Sequence, residues 1–404
     1  MLTSVGVPVM SEAEPSVSDP ARSTLLCFSH LRWDFVFQRP QHLMSRFARE
    51  MTVIFWEEPI EIGQRETSFL KVRQAEDFPN VRVVTPHLPE GLSDERREEA
   101  LRRLLDAHVA SCERPLVTWY YTPMMLPFSR HLDASAVVYD CMDELSKFRF
   151  APERLLDLEQ ELIDRADLVF TGGASLYEAK KDRHDNAHCF PSSVDLKHFA
   201  KGRRELPQPA DQAELKHPRL GFYGVIDERF DIDLLRQIAD MRPDWSFVMV
   251  GPVVKIGEDE LPRAANIHYL GGKTYEQLPA YLSGWDVALM PFAMNESTQF
   301  ISPTKTPEYL AGGKPVVSTP VRDVVRSYGH LQGVHIAHDA DGFVRCCDKA
   351  LGQSRDGGDW LAEADLVLSA TSWETTQARM SALVAEVLGE RLGTGTPALL
   401  VAAE

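Results

Sequence analysis

Short apolar runs alternate with amphipathic helical stretches along almost the whole chain, and this alternation confines it to an α/β fold built on parallel sheets. In the first half the pattern predicts strands at Thr24–Ser29, Met51–Trp56, Val81–Thr85, Leu116–Tyr120, Ala136–Asp140, Leu168–Thr171 and Ala187–Phe190. Helices are expected between them at about Pro40–Arg49, Asp94–Ser111, Pro152–Ala166 and Ala174–Asp182. In the third of these, Leu155, Leu158, Leu162 and Ala166 recur at helical spacing and make one buried stripe. No repeat of solenoid period is visible.

The alternation breaks at Lys201 to Pro218, a polar stretch holding Pro207, Pro209 and Pro218, which reads as an inter-domain linker. It then restarts with strands expected at Leu220–Tyr223, Ser246–Val250, Ile267–Leu270, Val287–Met290, Pro315–Ser318 and Val334–Ala337. The accompanying helices are Asp231–Met241, Tyr275–Leu282, Pro307–Ala311 and Gly342–Leu351, with a last one near Ser372–Leu388. Two doubly wound units would face each other across a cleft at the C-terminal edges of their sheets, where ligands gather. The expected organisation is a tail over 1–22, a first domain over 23–200, the linker 201–218, a second domain over 219–371 and a tail over 391–404.

Charge narrows the function. With 43 Lys and Arg against 60 Asp and Glu, the net charge of −17 argues against a general nucleic-acid binder. Binding of an anionic membrane by net charge is likewise disfavoured. Cys27, Cys112, Cys141, Cys189, Cys346 and Cys347 form no C-x-x-C pair, so reduced thiols in a cytosolic protein are expected. The N-terminus lacks the basic and apolar regions of a signal peptide and reads as disordered. No stretch reaches the ~18 apolar residues of a membrane span. Arg96–Leu105 alternates acidic and basic residues, the pattern of a solvated helix face and only weakly that of a membrane-docking one.

The chemistry concentrates in the segment SPTKTPEYLAGGKPVVS, 302–318. Thr306 is a candidate N-cap, Pro307 suits a first helical position, and Gly312–Gly313 stop a short helix before an apolar strand. Such a helix start offers free N–H groups and a positive dipole end to an anion. Lys305 adds a full charge suited to a diphosphate, and Glu308 an acceptor for ribose hydroxyls. Taken singly, Lys305 is equally a solvated charge and Glu308 equally an ordinary first-turn acid.

That segment resembles the nucleotide-sugar signature of the GT-B glycosyltransferases of retaining family 4. Matches run from about Leu25 to Val387, including CFPSSVDLKHF at 189–199, LGFYGVIDERFDIDLL at 220–235 and NIHYLGGKTYEQLPAYLSGWDVALMPF at 266–292. FSHLRWDFVFQRPQHLMSRFARE at 28–50 and YDCMDELSKF at 139–148 are similar to a bacterial subgroup linked to cell-surface polysaccharide. The resemblance implies a GT-B fold of two facing Rossmann-like domains, the first completed by 372–390 crossing back onto it. It implies sugar transfer from a nucleotide-diphosphate donor to a saccharide or lipid-linked acceptor, with retention, no metal, and no cofactor beyond the co-substrate.

Positions follow from the match. Glu308 would hold the ribose; Lys305 and the N–H groups of Thr304 to Thr306 would meet the diphosphate. Gly224 would let the backbone approach the phosphates, Arg229 would stabilise the leaving diphosphate, and Gly271 and Gly272 would flank the base-gripping loop. Three departures stand out. Phe300 occupies the place of a second glutamate two helical turns before Glu308, Val225 replaces an arginine after Gly224, and HLRWDFVFQRP replaces a glycine-rich first loop.

On the acceptor side, Asp140 and Asp143 end an apolar strand and point to the cleft; they are candidates for hydroxyl binding, with Asp143 the one suited to chemistry. The favoured reading of Asp143, however, is an N-cap for the next turn. Arg39 is an anion contact or a surface residue over a helix start, and Trp33 a sugar platform or a core anchor. His30 lies in the same loop, while His42 falls within a helix and is expected to pack. Two other readings remain open: a GT-B epimerase, for which His30 and Glu296 are the available groups, and a non-catalytic nucleotide-sugar-binding partner, which Phe300 favours. A cytoplasmic location is expected, with peripheral contact at the inner membrane face.

Overall fold

The computed structural model describes residues 9–11, 23–356 and 358–392. Two sheets organise them. The first runs in the order Val9–Ser11, Phe69–Ala75, Phe78–Pro89, Thr52–Trp56, Thr24–Phe28, Leu116–Tyr120, Ala136–Cys141, Leu168–Thr171 and Ala187–Cys189, with Ile60–Ile62 beside Phe78–Pro89. Only the pairing of Phe69–Ala75 with Phe78–Pro89 is antiparallel. The second sheet is parallel throughout, ordered Ile267–Gly271, Ser246–Val250, Arg219–Tyr223, Val287–Met290, Val316–Ser318 and Val334–Ile336. Its inner strands are mostly apolar runs buried on both faces, as parallel strands covered by helices must be.

Most expected elements are present within a residue or two. The antiparallel edge and the helices Arg322–Tyr328 and Trp360–Ser369 were not expected. Val9–Ser11 pairs with Leu70–Val72, so part of the expected tail is a strand; the rest of 1–22 lies outside the described residues.

The stretch expected as a linker is packed onto the second unit. It contains the turn Ala200–Arg203 and the helix Ala210–Ala213. Gln212 is fully buried there, accepting from the Trp285 indole at 2.9 Å and donating to the Tyr281 carbonyl at 3.0 Å. One buried amide with both ends satisfied is enough to pin a segment whose composition looks loose.

The last helix, Trp373–Leu392, returns to the first sheet. Trp373 joins that core and stacks on His42 at 4.6 Å, and Arg46 pairs with Glu374 at 2.8 Å. On the far rim Asp323 accepts from the Ser175 amide at 3.1 Å and from its hydroxyl, while Arg322 and Arg326 both reach Glu178. These contacts set the two sheet edges facing each other.

The floor of the first unit is held by a buried ion pair. Arg39, at the start of helix Arg39–Phe47, places Nη2 at 2.8 Å and Nε at 3.1 Å from Asp140 at the end of its strand, and Nη1 donates to the Phe190 carbonyl at 2.7 Å. Both side chains are almost fully buried. Removing one partner strands the other charge, at about 3–5 kcal/mol. Arg39→Met is therefore expected to lose about that much in urea unfolding; a loss below about 1 kcal/mol would show that the pair is not what fixes this floor.

Candidate active site

In each sheet the strand order reverses near the middle, between Thr24–Phe28 and Leu116–Tyr120 in the first and between Arg219–Tyr223 and Val287–Met290 in the second. Crevices open at such switch points. His30 and Tyr121 lie just beyond the first, and Gly224 and Phe292 just beyond the second.

The wall on the second unit is built by backbone. Gly224 has φ +142 and Gly251 φ +145, values a residue with a Cβ rarely adopts. A Cβ on Gly251 would stand 1.8 Å from the Gly224 carbonyl oxygen, and one on Gly224 would stand 2.1 Å from Lys305 Cε. Two bare backbones thus touch, and the Lys305 side chain lies across the first of them. Its ammonium is near the Phe222 and Phe292 rings at 5.8 and 5.9 Å. Burial, then repulsion from Arg229, lowers its pKa.

Helix Lys305–Ala311 begins one residue after Thr304, earlier than expected. Thr306 is not the N-cap: it is inside the helix, fully buried, with its hydroxyl unpartnered. Glu308 is buried and accepts from the Tyr223 hydroxyl at 2.9 Å. Burial raises its pKa against the opposing influence of Lys305.

Arg229 is gripped by Asp227, with Nε at 2.9 Å and Nη2 at 2.7 Å from its two oxygens. Its guanidinium stands 5.3 Å from the Phe148 ring centroid of the first unit. Asp143 is half-buried across the cleft; desolvation raises its pKa, and Arg229, Lys305 and Arg39 act to lower it. The N-cap alternative for Asp143 is not what forms: Glu144 precedes the turn Leu145–Lys147, and Asp143 offers it only its carbonyl, to Leu145 at 3.1 Å.

Other expected contacts fall elsewhere. Asp140 and Arg39 neutralise each other below the cleft and are closed to an acceptor. Trp33 is a core anchor, edge-on to Phe55 at 5.0 Å. Phe300 packs against the core of the first unit, so its position serves the inter-domain contact. Glu296 is exposed and held by Lys147 at 3.2 Å. His30 keeps its place on the cleft: burial, then Lys255, lowers its pKa to about 4, and Nδ1 is buried without a partner.

Gly271 and Gly272 are exposed, Gly271 at φ +69 with its carbonyl accepting from Gly251 at 2.9 Å. Gly272 and Tyr275 line a cavity of about 1040 Å3 whose opposite wall carries Phe37, His42 and Arg46. Tyr275 stacks on His198 at 4.1 Å, and its hydroxyl is also buried without a partner. Orphaned buried polar atoms are rare in folded proteins. Apart from five Trp indoles and His108, those among the described residues belong to His30, Tyr121, Glu228, Tyr275 and Thr306, around the cleft.

The sequence reading missed Gly251, Asp227, Tyr223, Phe148 and Lys255. Gly251 carried the same signal as Gly224, a glycine closing an apolar strand. Tyr223 and Phe148 carried none, since nothing local says which aromatic will meet a carboxylate or a cation.

Residues 217–353 match the family described as "Glycosyl transferases group 1". The putative teichuronic acid biosynthesis glycosyltransferase TuaH of Bacillus subtilis is 27% identical over 261 residues, which span 59% of this chain and 64% of that protein. Sucrose-phosphate synthase from Thermosynechococcus elongatus superposes with a TM-score of 0.67 at 16% identity, covering 91% of this chain and all of that one. HepE of Anabaena in complex with UDP gives 0.62 at 12% identity, with 90% of this chain and all of that one covered.

The buried carboxyl makes a stability prediction. A raised carboxyl pKa favours the fold while protonated; that contribution is full below the ordinary value of 4.5 and is lost as pH rises through the raised one. Glu308→Gln, neutral throughout, is expected to melt above the wild type at pH 8, with the gap closing as pH falls towards 4.5. A wild type melting higher at pH 8 would show that the Tyr223 and Lys305 contacts outweigh burial. The fold is GT-B, and within it residues 217–353 match the group 1 glycosyltransferase family, while the alignment with the curated relative spans less than two thirds of that protein.

Proposed function

We propose that this chain moves a sugar from a nucleotide-diphosphate donor to a saccharide or lipid-linked acceptor, with retention and without a metal, in the synthesis of a cell-surface polysaccharide. The observation that carries the reading is Lys305 laid across the bare backbone of Gly224, with Arg229 and Glu308 beside it. A diphosphate against Gly224 meets two cations and the N–H groups from Thr304 to Thr306. Glu308, steadied by Tyr223, takes the ribose hydroxyls, and the loop at Gly271 and Gly272 leads the base towards the cavity.

In the reaction the bond from C1 to the diphosphate breaks and its electron pair leaves on oxygen. Lys305 and Arg229 stabilise that charge, an interaction stronger in the transition state than in the ground state. Asp227 fixes the Arg229 guanidinium but also shares its charge, so Lys305 is the cation with more to give. The acceptor oxygen bonds to C1 from the face the diphosphate leaves, and the acceptor proton passes to the departing diphosphate. Asp143 accepts a hydrogen bond from the attacking hydroxyl. Among the described residues no three His, Cys, Asp or Glu side chains converge as a cation site. No helix there is long and apolar enough to cross a membrane.

The epimerase alternative needs a carboxylate and a histidine around one C–H bond, and Glu296 is turned out to Lys147 instead. The non-catalytic alternative keeps one supporting observation, Phe300, whose ring serves packing where a sugar contact was expected.

A panel of nucleotide sugars assayed for transfer and for slow release of nucleotide tests the proposal. One donor is expected to turn over, and Lys305→Ala is expected to lower kcat by about 10²-fold or more, the effect of removing one preorganised charge stabiliser. Glu308→Ala should chiefly raise the donor KM. Nucleotide binding with no turnover under any acceptor, or conversion of the donor to its epimer, would overturn it.

A further inference from the structure

One cation in the cleft is left unused by the donor. Lys255, in the loop after Gly251, has φ +65, a conformation that costs energy for a residue with a Cβ and is kept where the surroundings impose it. Its ammonium stands 4.9 Å from the Phe148 ring centroid of the first unit. Its one ion pair among the described residues, with Glu228 Oε1, is long at 3.5 Å, and Glu228 Oε2 is buried without a partner. Arg229, by contrast, is held at both nitrogens by Asp227.

The charges acting most strongly on Lys305 are Arg229, Glu308, Asp227 and Asp143. Lys255 acts across the cleft on His30, whose Nδ1 is the unpartnered atom at the switch point of the first sheet. Lys255 faces the first unit through the Phe148 ring, which Arg229 also approaches, at 5.3 Å. A neutral sugar offers an ammonium only hydroxyl oxygens, whereas a carboxylate or phosphate offers it a charge-assisted bond about twice as strong. An acceptor that carries both a hydroxyl and an anionic group serves both residues, and in a chain of net charge −17 a local cation favours the entry of that anion.

We propose that the acceptor carries an anionic group, a carboxylate or a phosphate, which Lys255 binds while His30 Nδ1 accepts a hydrogen bond from an acceptor hydroxyl. The proposal rests on the glycosyltransferase reading above, which assigns the other half of the cleft to the donor. Lys255 is then a specificity-determining residue, selecting the acceptor without touching the bond that breaks.

The test is binding of three probes, glucose 6-phosphate, glucuronate and glucose, to the enzyme saturated with UDP or GDP, followed by saturation-transfer NMR. At least one anionic probe is expected to bind at least about tenfold more tightly than glucose, and which one does so distinguishes phosphate from carboxylate. Lys255→Met should remove that preference, Lys255→Arg should restore it, and both should leave nucleotide binding unchanged. Equal binding of all three probes, or a preference that survives Lys255→Met, overturns the proposal. So does a loss of nucleotide affinity in Lys255→Met as large as in Lys305→Ala, which would make Lys255 a diphosphate contact. Failure of both nucleotides to bind the wild type counts against the donor reading itself and removes the ground for this one.

Discussion

The contact of Gly224 with Gly251 is the constraint on which the donor wall depends. The two residues follow adjacent parallel strands; a Cβ on Gly251 would collide with the Gly224 backbone, and one on Gly224 with the Lys305 side chain. That closeness leaves Gly224 as a bare surface over which Lys305 can lie. Any side chain at position 224 would displace the ammonium and cover the peptide that a phosphate would approach. The lysine, the helix start behind it and Glu308 on the same helix are useful only because this floor is flat.

Around that floor the charges fall into two kinds. Some are satisfied by the protein: Arg39 by Asp140, Arg229 by Asp227, and Arg322 and Arg326 by Glu178. These fix the positions of loops and of the two units. Others are poorly served: Lys305 against aromatic rings, Lys255 on a long ion pair, and His30 with an orphaned nitrogen. Burying polar groups without partners costs free energy in the empty protein, and a ligand that supplies the partners recovers it. The division separates residues that build the cleft from residues that would hold what enters it.

Periodicity alone made the architecture legible, because parallel strands buried on both faces are written as uninterrupted apolar runs such as Leu116–Tyr120 and Ser246–Val250. The polar edge strand Phe69–Ala75 and the packed segment around Gln212 were not legible, since their place is set by partners distant in sequence. Lys305, Glu308, Gly224 and Arg229, the residues of the proposed donor wall, were named from local spacing and resemblance, and the fold brings them together. Asp140 and Arg39 were placed in the right region with the wrong role. Each looked like a free charge at a cleft, and only the fold shows that 101 positions of sequence separate two halves of one ion pair. Trp33 and Phe300 follow the same rule, since an aromatic ring at a cleft edge carries no local mark of which side it packs on.

The central claim is that the diphosphate of a nucleotide sugar lies on the Gly224 backbone, between Lys305 and Arg229, with its ribose at Glu308. A crystal structure of the chain with a bound nucleotide measures this directly. The account predicts phosphate oxygens within hydrogen-bond distance of Lys305 Nζ and of the Gly224 region, ribose hydroxyls on Glu308, and the base beside Gly271 and Gly272. A nucleotide whose diphosphate lies instead in the cavity between Arg46 and Tyr275, leaving Lys305 on its aromatic rings, would contradict it.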